Sequence, residues 1–180
     1  MPSKQPAKFS LARTMLWFVF FCYSAVLVKI IVIKNSRFFM ERMRATWRHG
    51  GYQRSSATQN WVPLRSIKNM LSGRANFTTA FENVGGNIII FIPFGILVPL
   101  LMKGKYKFFK TLFLGFALSA FFEFFQLYTG CGQFDVDDII LNTAGTLAGL
   151  IFYGIGSLLK PAPKANDDTT DSAVINEYQP

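Results

Sequence analysis

Residues 134–159 read FDVDDIILNTAGTLAGLIFYGIGSLL, three carboxylates in four positions followed by an apolar run that continues from Ile139 to Leu159. A helix rises 1.5 Å per residue, so this run covers about 30 Å, the thickness of a bilayer's hydrocarbon core. A soluble strand or core helix has no need of such a length. Three further runs come close to the same requirement: Thr14 to Ile33, Gly86 to Met102 and Phe108 to Tyr128. The whole chain agrees, with 180 residues of which 51% are hydrophobic, 16% aromatic and only 16% charged. That balance is more apolar than a soluble domain of this size carries. The expected fold is all-α, a polytopic membrane protein of four transmembrane helices.

Pro93 and Pro99 interrupt the second run, and a membrane helix tolerates them as kinks when neighbours satisfy the freed carbonyls. The first run follows Lys4, Lys8 and Arg13 but is too long for a signal peptide and precedes no small-x-small cleavage site, so it reads as an uncleaved anchor. Lys29 sits near its end, where the stem can reach the interface. Cys22 and Cys131 fall at different depths and are expected to be free thiols.

The expected organisation is a basic N-terminus and first anchor at 1–33, a basic external loop at 34–85, a three-helix membrane core at 86–159 and a disordered polar tail at 160–180. Within the first loop, PLRSIKNML places Leu64, Ile67 and Leu71 on one helical face with Arg65 and Lys68 turned away, the pattern of an amphipathic helix at an interface.

Formal charge is +9, and its distribution bears on orientation. The loop KGKYKFFK carries Lys103, Lys105, Lys107 and Lys110, whereas TGCGQFDVDD carries no Lys or Arg. Positive residues in short loops stay in the cytoplasm, which puts both termini of this cell-membrane protein on the cytoplasmic side. The first loop dissents with nine basic residues from Lys34 to Arg74, although long loops weigh less. Its basic residues, mixed with Phe38, Phe39 and Trp47 beside a membrane segment, fit anionic lipid headgroups rather than nucleic acid.

Polar residues gather at one end of the expected bundle. Gly115, Ser119, Glu123 and Gln126 form one stripe of the third helix, Asp138, Asn142, Gly145 and Gly149 one stripe of the fourth, and Asn83 and Asn87 share a face of the second. Alternating helix direction brings the start of the second, the end of the third and the start of the fourth to one side. Packing Gly115-x-x-x-Ser119 against Gly145-x-x-x-Gly149 sets Ser119 near Gly145, Glu123 opposite Asn142 and Gln126 opposite Asp138. Polar side chains in membrane bundles often only cross-link helices, but an intramembrane carboxylate such as Glu123 marks a site or a relay. Asp135 falls at the rim of that pocket. Asp137 points away from the stripe and reads as a solvated surface charge, and Asp138 also suits the positive end of the helix dipole.

Hard oxygen ligands at this density suit a divalent cation, and a like-charge pair suits a general acid, yet no motif of defined metal spacing is present. Gly-x-Ser-x-Gly and phosphate-cradling glycine motifs are absent, and His49 stands without a partner nearby in sequence.

Taken together, NWVPLRSI at 60–67, ENVGGNIIIFIPFGILVPLL at 82–101, SAFFEFFQ at 119–126 and FDVDDIILNTAGTLAG at 134–149 resemble the VanZ-like family of small bacterial membrane proteins. The resemblance implies a link to glycopeptide (teicoplanin) resistance and no agreed reaction. It places Asn83, Asn87, Glu123, Gln126, Asp135, Asp138 and Asn142 on the family's recurrent polar positions. Many relatives have a basic residue where this chain has Gln133. The leading expectation is a non-enzymatic envelope protein whose outward pocket holds an anionic lipid or cell-wall-precursor headgroup. A membrane-embedded, metal-assisted enzyme acting on a lipid headgroup and a structural or assembly partner stay open, as do the cofactor and oligomerisation.

Overall fold

The computed structural model describes residues 11–33, 44, 48, 59–73, 76–129 and 133–159. His49, Cys131 and the tail from 160 onward lie outside them, as do 34–43, 45–47, 50–58 and 74–75 of the first loop. Among the described residues, five helices are bounded, in chain order: α1 (Leu11–Ile33), α2 (Arg65–Leu71), α3 (Phe77–Leu101), α4 (Lys107–Thr129) and α5 (Val136–Leu158). Four of them, all but α2, are long and apolar enough to cross a membrane. The fold is an all-α polytopic membrane bundle.

α3 starts well before Gly86, where the apolar run begins. Asn76 caps it by accepting from Thr78 N at 3.1 Å, satisfying an orphan donor of the first turn, so the polar residues Glu82, Asn83 and Asn87 become helical. Pro93 and Pro99 lie inside this helix, which runs on to Leu101. α5 is capped by Asp135, whose side chain accepts from Asp137 N at 2.8 Å. Asp137 and Asp138 occupy its first turn, where negative charge meets the positive end of the helix dipole.

Close approach of α3 and α5 depends on glycine. A β-carbon at Gly145 would run into the carbonyl of Ile88, one at Gly149 into that of Ile92, and one at Gly95 into that of Thr146. Lipid offers no hydrophobic drive for helix association, so backbone proximity of this kind supplies the dispersion contact. The α5 glycine stripe therefore faces α3, which differs from the expected contact with Gly115. Gly115 instead accommodates the Thr146 side chain. The α4–α5 register is accordingly displaced by about a turn: Ser119 meets Asn142 and Asp138 rather than Gly145.

The core consists of Phe91, Phe94, Val98, Phe122 and, from α1, Leu27. α1 is otherwise mostly exposed, as a lipid-facing helix should be, and is tied to the bundle at three levels. Arg13 Nη2 donates to Leu101 O at 3.3 Å, Tyr23 Oη to Ile90 O at 2.8 Å, and Gln126 Nε2 to Ile31 O at 3.0 Å. Cys22 is a free, exposed thiol.

Candidate functional site

The segment before α2 lies against the start of α5. Asn60 N donates to Phe134 O at 2.8 Å and Val136 N to Asn60 O at 3.0 Å, an isolated parallel bridge centred on Asn60 and Asp135. Trp61 stacks on Phe134 with ring centroids 4.2 Å apart, and Phe124 of α4 packs on the same ring at 5.7 Å. Thus NWVPLRSI and FDVDD, 75 positions apart at Asn60 and Asp135, form one unit.

Asp137 holds that unit together. Its carboxylate is fully buried and accepts from the backbone N–H groups of Leu64 and, at 2.6 Å, Ser66, with a third donor from Asn60 Nδ2 at 3.3 Å. The first turn of α2 has orphan N–H groups and no side-chain cap of its own, and Leu64 sits in the left-handed region at φ 62°. That conformation costs a branched residue about 1–2 kcal/mol. A carboxylate brought in from α5 serves as the missing cap. The sequence reading of Asp137 as a solvated surface charge is therefore wrong. It assumed that the only partners of α5 are other membrane helices, whereas the first turn of α5 faces the returning loop.

The remaining carboxylates are tied into the same end. Glu123, buried in α4, accepts from Asp135 N at 2.8 Å through Oε2. Asp138 Oδ1 accepts from Asn87 Nδ2, which joins α3 to α5. Asn142 Nδ2 donates to Ser119 Oγ at 2.9 Å, and Ser119 Oγ donates to Asp138 O at 3.5 Å. Asn142 Oδ1 is buried with no hydrogen-bond partner. Asn87, Glu123, Asp135, Asp138 and Asn142 thus converge, as expected, on one end of the bundle. Two of the sequence candidates do not join them. Gln126 turns to α1 rather than to Asp138, and Asn83 is exposed, one turn before Asn87.

Asp135 also opens onto the surface. It lines a cleft of about 260 Å³ with Gln59, Asn60, Arg65, Ser66, Asn69 and Gln133. Partial burial pushes its carboxyl above the ordinary Asp value, opposed by hydrogen bonds from Asp137 N and Asn60 Nδ2, and the nearby Asp137 charge adds to the rise while Arg65 offsets it. The cleft offers a guanidinium, a carboxylate and four side-chain amides within one opening, a donor and acceptor set suited to a charged headgroup. Among the described residues, no group of three or more His, Cys, Asp and Glu is disposed to hold a metal ion.

Asn60, Asn69 and Asp137 are absent from the sequence-derived site. Asn60 carried a signal, since it opens the NWVPLRSI motif. The orphan N–H groups at the start of the amphipathic helix were a second signal, pointing to an unassigned acceptor.

Comparison with known proteins adds to this geometry. The profile of the VanZ/LLP1 family matches residues 20–157. Protein VanZ of Enterococcus faecium is 36% identical over 80 residues, covering 44% of this chain and 49% of that protein. The chain thus spans about half the length of this curated relative. No solved structure matches significantly.

Proposed function

Since the chain belongs to the VanZ/LLP1 family of multi-pass membrane proteins, we propose that its cleft faces outward and binds a lipid or cell-wall-precursor headgroup, altering glycopeptide (teicoplanin) susceptibility. The observation that carries this reading is the cleft that Arg65 and Asp135 line together with Gln59, Asn60, Asn69 and Gln133. Arg65 supplies a planar fork for a phosphate, and the amides supply donors and acceptors for sugar or peptide groups. Both termini then lie in the cytoplasm, with the lysine-rich loop at 103–110 inside, consistent with the charge asymmetry of the short loops. The carboxylates behind the cleft position it: Asp137 fixes α2, and Glu123 fixes the backbone of Asp135.

The test separates lining from scaffold. Arg65→Ala and Asn69→Ala, which remove cleft groups and leave the Asp137 contacts in place, are expected to return host susceptibility to that of cells lacking the protein, at unchanged membrane abundance. Unchanged susceptibility in the double variant, with normal abundance, contradicts the reading.

The upward-shifted carboxyl of Asp135 beside Arg65 favours a second reading, an acid catalyst acting on a lipid headgroup. Mass spectrometry of membrane lipids and precursors from cells with and without the gene distinguishes the two. Chemistry alters the pool, and binding alone leaves it unchanged.

A further inference from the structure

The opposite end of the bundle carries a different feature. Where α1 passes α3 and α4, a groove of about 630 Å³ opens between the three helices. Its floor is made by Leu27, Phe94, Val98 and Phe122, and no charged side chain lines it. Ser24, the one hydroxyl in the lining, donates to Phe20 O at 2.8 Å within its own helix and requires no outside partner. Along α1 the groove runs from Trp17 to Val28, roughly 16 Å at 1.5 Å per residue. That is about half of a hydrocarbon core of roughly 30 Å, the depth of one leaflet.

The mouth is basic. Arg13 lies one turn before Trp17 and reaches the Leu101 carbonyl, and Lys103, Lys105, Lys107 and Lys110 follow at the same end of the bundle. All described acidic residues, Glu82, Glu123, Asp135, Asp137 and Asp138, lie at the other end. We propose that this groove is a lipid site that takes one acyl chain of an anionic phospholipid, with the phosphate held among Arg13 and the lysines of the 103–107 turn. Lipid tails are as apolar as the groove, so the chain alone gains little by entering. Selectivity arises at the mouth, where juxtamembrane basic residues attract anionic headgroups.

The full chain is reconstituted in nanodiscs of equimolar phosphatidylglycerol and phosphatidylcholine, released, and examined by native mass spectrometry for retained lipid. Wild type is expected to retain phosphatidylglycerol over phosphatidylcholine by on the order of 5-fold or more. Lys103→Gln with Lys105→Gln, both at exposed positions, should reduce that preference several-fold. Ala117→Trp, which fills the groove without altering its charge, should abolish retention of either lipid. Equal retention of the two lipids by wild type, full retention in Ala117→Trp, or a dimer that carries no lipid would each overturn the assignment. Should Ala117→Trp fail to fold, the lysine variant and the wild-type lipid preference decide alone.

Discussion

Replacing Asp137 by Ala is the most informative perturbation of this structure. The carboxylate accepts two strong backbone hydrogen bonds, from Leu64 N and Ser66 N, and a longer one from Asn60 Nδ2. A hydrogen bond to a charged group contributes about 1.5–3 kcal/mol, and relief from burying the charge offsets part of the loss. The net cost is about 3 kcal/mol, or roughly 100-fold in the equilibrium between docked and open forms of the 59–71 segment. Because Leu64 loses the contact that holds it at positive φ, the cost falls on this segment first. Limited trypsinolysis reads the effect directly, since Arg65 and Lys68 are exposed side chains whose peptide bonds are shielded only while α2 is docked. When opening is fast relative to cleavage, the rate tracks the open population. Cleavage after Arg65 and Lys68, followed by mass spectrometry, should therefore accelerate by about 100-fold, with cleavage within the membrane helices unaffected. Asp137→Asn should also be weakened, because its amide group would face a backbone donor. Wild-type cleavage rates in Asp137→Ala would refute the assignment of Asp137 as the anchor of α2.

Gly149→Val forces a branched side chain against the Ile92 carbonyl and should cost at least about 1–3 kcal/mol, visible as reduced membrane abundance, whereas Gly154→Ala, in open space, should be neutral or slightly stabilising. Asp135→Asn preserves an acceptor for Asp137 N and Asn60 Nδ2 while removing the titration. A raised carboxyl binds its proton more tightly in the folded state, so its contribution to stability is present in acid and is lost as pH rises from the ordinary 3.8 toward the folded value. In melting curves measured against pH, the advantage of wild type over Asp135→Asn should fall across that window and be flat above it. An advantage that grows with pH would show that the carboxylate, rather than the acid, is the favoured form.

Four helices were legible because span length and hydropathy are local properties, and alternation of helix direction then fixed which ends meet. Convergence of Asn87, Glu123, Asp135 and Asp138 followed from that alone. The sequence could not specify which faces touch. Gly145 and Gly149 form a stripe that suits any close neighbour, and three-helix packing gave it to α3. Periodicity within α5 was equally silent about Asp137, whose partners are backbone N–H groups of a segment more than 70 positions earlier. Uncapped donors at the start of α2 call for an acceptor, but no side-chain pattern in either segment pairs them with Asp137.

The proposed opening of the cleft to the outside of the cell is tested most directly by cysteine labelling. Gln133 lines the cleft and is exposed. With Cys22 and Cys131 replaced by Ser, Gln133→Cys is treated with a membrane-impermeant maleimide on intact cells. Full labelling without permeabilisation is expected. Labelling only after the membrane is opened would place the cleft in the cytoplasm and contradict a role at the cell surface.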